Sequence, residues 1–98
     1  MVRLLSYSVY ILSNYARTVF YLGVTSNLES RILDHKQGTG SIFTSKYKCH
    51  CLMYYEDYSN ISHAIARQKQ LKKWRREWKI ALIRKDNPDM TDLAERWY

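Results

Sequence analysis

The feature that most constrains this chain lies in its first quarter. Two β-rich hexapeptides, Tyr7-Ser-Val-Tyr-Ile-Leu12 and Val19-Phe-Tyr-Leu-Gly-Val24, flank the polar segment Ser13-Asn-Tyr-Ala-Arg-Thr18. Strand-rich runs around a short polar turn predict a β-hairpin. Side chains alternate along a strand, so Val9 and Ile11 share one face, and Phe20, Leu22 and Val24 share a face on the partner. Tyr10 and Tyr21 fall on the opposite parity. Pairing Leu12 with Val19 sets Tyr10 directly across from Tyr21.

A hairpin alone cannot bury itself, so the rest of the chain must cover it. Asn27 is placed to cap a helix from Leu28 to about Lys36, ending before Gly38 and Gly40. At about 100° per residue, Arg31, Ile32 and His35 fall within about 60° of Leu28, so Arg31 and His35 point inward. Two cationic or near-cationic groups there call for an anion, and a phosphate would suit both. Ile42–Lys48 reads as a helical turn or as irregular backbone. Cys49–Glu56 reads as a third strand and 57–60 as a turn. Helices follow over about Ile61–Lys73 and Arg75–Lys85, then a break at Asn87-Pro88 and a short last helix from Thr91 to about Arg96. Gln68 comes out at the centre of the apolar arc of the first of these two long helices, where a polar side chain needs partners.

Composition narrows the function. At 98 residues the chain makes one domain, 1–98, with its core over about 7–85 and a short helical tail over 87–98. A hydrophobic share of 46% marks a folded chain. No apolar run approaches the roughly 18–20 residues of a membrane span. Met1–Ser6 is too weakly apolar for a signal peptide, which points to the cytoplasm and reduced thiols. The net charge is +7. Most of it sits in Arg67, Lys69, Lys72, Lys73, Arg75, Arg76 and Lys79, with Trp74 and Trp78 interleaved and Glu77 the one acid among them. Charge gathered this way suits a polyanion. Cys49-His50-Cys51 lacks the second ligand pair of a structural zinc site, and its cysteines read as small core residues sharing a strand face with Met53 and Tyr55.

Taken in order, Ser8-Val9-Tyr10, Tyr21-Leu22-Gly23 and Arg31-x-x-x-His35 form a more specific pattern than any one of them. This set resembles the GIY-YIG nuclease superfamily, with Ser8 in place of the first glycine. The resemblance extends along nearly the whole chain and is closest to the small stand-alone bacterial branch. It implies an α/β domain with a small three-stranded antiparallel sheet flanked by helices. It implies metal-dependent cleavage of DNA, with Mg²⁺ or Mn²⁺ as cofactor. Tyr10 then helps activate or orient the water, Tyr21 supports the site, Arg31 stabilises charge on the scissile phosphate and His35 assists. Lys46 becomes a further phosphate contact, and Asn87 matches an asparagine that some members use near the site.

At the position of the family's metal-binding glutamate this chain carries Gln68, which keeps a carbonyl oxygen and lacks the charge. Either the site is weakened or another carboxylate supplies the ligand. Glu56, at the end of the third strand, is the better placed; Glu77 falls on the far side of its helix. The expectation is a DNA-binding nuclease domain impaired at Gln68, with a non-catalytic nucleic-acid-binding module as the alternative. A basic face for an acidic protein partner is a third reading, which Arg31 and His35 argue against. Nothing in the sequence identifies a protein partner, and linear, branched, flapped or damaged DNA, and RNA, all remain open as substrates.

Overall fold

A computed structural model describes residues 6–98. The segment Met1–Leu5, with most of the stretch weighed as a signal peptide, lies outside the described residues. The element order is β1 (Tyr7–Ser13), β2 (Phe20–Thr25), α1 (Leu28–Lys36), α2 (Ile42–Lys46), β3 (Cys51–Tyr58), α3 (Ile61–Lys72) and α4 (Arg76–Asp86). The three strands form one antiparallel sheet in the order β2-β1-β3. Its two faces carry two cores. Val9, Ile11, Leu22, Met53 and Tyr54 pack with Ala64, Leu71 and Ile83 of α3 and α4. Tyr10, Leu12 and Leu52 pack with Leu28 and Ile32 of α1 and with Ala94 of the tail. The radius of gyration, 12.8 Å, is that of one domain of this length. Among the described residues no helix is long and apolar enough to cross a membrane.

The hairpin forms with both face assignments as expected, but its register differs by two residues. Leu12 pairs with Tyr21, and Tyr10 pairs with Gly23. The cause is a turn centred one residue later. Ser13 continues the strand opposite Phe20, and Asn14 closes the loop by accepting at Oδ1 from the Thr18 and Val19 amides at 2.8 and 3.0 Å. An even slip leaves every side chain on its own face. The two phenols are therefore diagonal neighbours, with ring centroids 6.3 Å apart.

The helix over Leu28–Lys36 forms as expected. Asn27 Oδ1 accepts from the Ser30 amide at 3.2 Å, and Gly38 at φ 80° lets the chain turn away. Ile42–Lys46 is helical because Ser41 caps the Thr44 amide at 3.0 Å. The third strand runs two residues later than expected at both ends. The Cys49 amide is taken by the Thr44 carbonyl at 2.9 Å and so joins the end of α2. At the other end Asp57 and Tyr58 pair with Ser8 and Tyr7. A bulge between Ile11 and Leu12 leaves Met53 without a partner. Cys49 and Cys51 are buried free thiols, as expected of core residues, but they enter different cores rather than one face.

The tail corrects an expectation. Leu93–Arg96 makes turns and no helix, because its polar groups bond to β3. The Leu93 amide donates to the Leu52 carbonyl at 2.8 Å, and Asp92 Oδ1 accepts from the Leu52 and Ala94 amides, each at 3.0 Å. The tail thereby covers an exposed sheet edge.

Candidate functional site

Tyr10 rises from the central strand, Tyr21 from the edge strand, and His35 comes down from α1 above them. The Tyr10 hydroxyl lies 2.9 Å from His35 Nε2, and His35 Nδ1 lies 2.9 Å from Thr44 Oγ1. Thr44 Oγ1 is in turn 2.8 Å from Ser41 Oγ. The Tyr21 ring closes the triangle, 5.6 Å from the His35 ring centroid. Each hydroxyl can donate or accept, so the run from Tyr10 to Ser41 is satisfied with either neutral tautomer of His35.

Two glycines make room for this arrangement. A Cβ on Gly23 would stand 2.2 Å from Tyr10 Cζ, and one on Gly40 would stand 2.1 Å from His35 Nδ1. The glycine of the Tyr21-Leu22-Gly23 motif is thus required by close approach, since Tyr10 lies over it.

Burial sets the charge state. It pushes the Tyr10 phenol up to about 12, while the Arg31 guanidinium beside it pulls the other way. Burial first, and then the Arg31 charge, push His35 down to about 4. Both groups are neutral at neutral pH. This corrects the expectation of two cations awaiting an anion: His35 is fully buried and bonded at both nitrogens. Among the described residues, Arg31 alone carries positive charge in this cluster. Its nearest acid is Asp34, at 3.9 Å, and both side chains are more than a third exposed, so that pair is weak.

The depressed His35 value makes stability depend on pH. The unfolded chain takes up a proton at this residue near 6.5, and the folded chain does so only near 4. The unfolded state therefore binds more protons across that window, and stability falls as the pH drops through it. The loss reaches on the order of 3 kcal/mol by pH 4. Denaturant melts from pH 7 to pH 4 should show the decline in the wild type and a flatter profile in His35→Gln. Parallel profiles would contradict a buried neutral imidazole.

The position expected to hold a metal has other partners. Gln68 is half-buried at the edge of the packed face of α3, not at its centre, because Ala64 and Leu71 point inward while Ile61 and Ile65 are more than a third exposed. Its Nε2 donates to the Leu22 carbonyl at 3.1 Å. A carboxylate could not make that bond. Glu56 is no substitute. It pairs with Val9, on the sheet face away from Tyr10 and His35. It accepts from Tyr54 at 2.5 Å, Tyr58 at 2.7 Å and Arg67 at 3.0 Å. Burial raises its carboxyl, but Arg67 and the two phenols more than offset this and hold it below the usual carboxylate range. Among the described residues no group of three or more His, Cys, Asp or Glu could hold a metal ion. The donor set does not fit a divalent cation.

The basic segment divides into two parts. Arg67 does not face solvent as expected: it is forked onto Glu56 and stacked on Trp74 at 5.2 Å. Arg76 donates to the Thr18 and Arg17 carbonyls and covers the Phe20 ring, which clamps the hairpin turn. Arg75 lies over Trp78 at 5.4 Å. Lys46, Lys69, Lys72 and Lys73 are exposed. Asn87 bonds to neither Tyr10 nor Tyr21. It is 4% exposed and donates to the Met53 carbonyl at the β3 bulge and to the Thr91 carbonyl. Thr44, Gly40 and His50, whose Nδ1–H donates to the His35 carbonyl at 2.8 Å, complete the surroundings of His35. The sequence signal for them was the Gly40-Ser41 step followed by Thr44, a cap and its first turn.

The small antiparallel sheet thus gathers two tyrosines and a histidine over a motif glycine. The family model described as the GIY-YIG catalytic domain matches residues 6–81, and the chain belongs to that family. It is 35% identical to a UPF0213 protein of Staphylococcus haemolyticus over 64% of this chain and 77% of that one. It is also 35% identical to a UPF0213 protein of Syntrophus aciditrophicus over 83% of this chain and 92% of that one. The solution NMR structure of a UPF0213 protein from Bacillus halodurans shares the fold, with a TM-score of 0.56 and 22% identity over 93% of this chain and 97% of that one. Family membership supports nuclease-type chemistry on nucleic acid, in a family that is generally metal-dependent.

Proposed function

We propose that this protein is a DNA-binding domain of nuclease type whose cutting is impaired at residue 68. Tyr10, Tyr21, Arg31 and His35 form one half of the site, in which Arg31 and Tyr21 meet the scissile phosphate and the buried Tyr10 and His35 lie behind them. In this reading Arg31 offers its planar fork to the phosphate oxygens. The Tyr10 oxygen orients the attacking water, and the bond from His35 holds that phenol in place. Lys46, Lys69, Lys72 and Lys73 track the flanking backbone. The carrying observation is the bond from Gln68 Nε2 to the Leu22 carbonyl, 3.1 Å long, at the position where the family has its carboxylate. It supports a chain adapted to do without that carboxylate, and so favours the non-catalytic binding module as the second reading.

The test compares the wild type with Gln68→Glu on plasmid and branched DNA, with Mg²⁺ or Mn²⁺. Loss of groups that only support a metal ligand costs about 10–100-fold, so restoring a ligand should raise cleavage roughly 100-fold or more. Cutting by the variant alone supports the proposal. Equal cutting by both proteins would overturn the role given to residue 68. Binding by both with cutting by neither would establish the binding module instead.

A further inference from the structure

The aromatic cluster does not end inside the protein. The Tyr21 ring rests against Phe43 with centroids 5.7 Å apart and planes 30° from parallel, and Phe43 rests against Tyr47 at 4.7 Å. Phe43 and Tyr47 sit one turn apart on α2, so they form one stripe. They are 40% and 42% exposed, and neither belongs to either core. Cations surround the stripe. Lys46 Nζ lies 5.4 Å from the Tyr47 ring centroid. Lys72 and Lys79 line a cleft of about 300 Å³ that runs between Tyr21 and Phe43 on one side and the two long helices on the other.

Flat rings left open to water beside ammonium groups match one chemistry, an unpaired base followed by its phosphate. A base within a duplex has both faces covered by its neighbours and offers nothing to such a stripe. An acidic protein surface would use the lysines and leave the ring faces bare. We propose that Phe43 and Tyr47 form a stacking subsite for an unpaired base of single-stranded DNA, with Lys46, Lys72 and Lys79 holding the adjoining phosphates. The subsite leads into the Tyr10–Arg31 cluster through Tyr21. The inference rests on the proposed function and adds the substrate class: DNA with an unpaired segment next to the phosphate at Arg31.

The experiment is fluorescence anisotropy with a short oligo-dT and a blunt duplex of equal length, across a salt series. Phe43→Ala/Tyr47→Ala should weaken oligo-dT binding about tenfold or more. It should change duplex binding by less than about threefold and leave the salt slope unaltered, since no charge is lost. Lys72→Ala/Lys79→Ala should weaken both and make the slope shallower. Phe43→Leu/Tyr47→Leu keeps apolar bulk on α2 and removes the flat faces, so it should reproduce the alanine result even if the alanine pair unfolds. A 2-aminopurine base in the oligonucleotide should be quenched by the wild type and not by the leucine pair. Wild-type affinity for oligo-dT in the leucine pair, or equal loss for both DNAs, overturns the subsite. Preference for oligo-U overturns the assignment to DNA. A wild type that binds duplex and not oligo-dT overturns the subsite and leaves the proposed function standing. A wild type that binds neither at physiological salt overturns both.

Discussion

Gly23→Ala should be, with Gly40→Ala, among the most destabilising single-methyl changes in the described residues. The added Cβ falls 2.2 Å from Tyr10 Cζ and 2.3 Å from its hydroxyl oxygen. Tyr10 is 1% exposed and cannot swing into solvent. Overpacking a core costs about 1–3 kcal/mol. Moving the phenol also breaks its bond to His35, and a buried polar group left unpaired costs about 1–3 kcal/mol more. The expected sum is roughly 2–6 kcal/mol, a large part of the roughly 5–15 kcal/mol that holds such a domain together. At about 4–8 °C per kcal/mol, Tm should fall by about 10–50 °C. A double-mutant cycle with Tyr10→Ala isolates the cause: the alanine at 23 should cost far less once the ring is gone. Additive losses would show that the glycine serves the strand and not the tyrosine.

Arg31→Ala should have the largest effect on chemistry, read in the Gln68→Glu background. Among the described residues Arg31 carries the only positive charge in the tyrosine–histidine cluster, and its partner Asp34 is distant at 3.9 Å. Removing one preorganised donor from a developing negative charge costs about 100–1,000-fold in turnover. DNA affinity should change by less than about tenfold, because the exposed lysines of α3 remain. Single-turnover cleavage alongside anisotropy separates the two quantities. Equal losses in both would assign Arg31 to ground-state binding. Arg31→Lys should recover only part of the rate, since an ammonium lacks the planar fork.

Several features were legible before any coordinates. Strand alternation assigned Val9 and Ile11 to one face and Tyr10 to the other, because the period of two holds whatever the strand pairs with. Asn27 marked the start of α1 because a cap is a bond within one turn of chain. The bulge at Met53, the turn-rich tail and the two-residue hairpin slip were not legible. Each depends on a partner distant in sequence, or on side chains that compete with the ladder for backbone amides.

The candidate site divides along the same line. The order and spacing of Tyr10, Tyr21, Arg31 and His35 could be read from the chain, and so could the family to which it belongs. Only tertiary structure decided their charge and availability. His35 is neutral because α2 brings Thr44 to it and the sheet brings Tyr10. Glu56 and Arg67, separate prospects in the sequence, neutralise each other on the opposite face. Phe43 and Tyr47, unremarkable as letters, become a ring stack because α2 lays them beside Tyr21. Periodicity and caps are local, so sequence carries them; ionisation and exposure depend on which remote groups exclude water from a side chain.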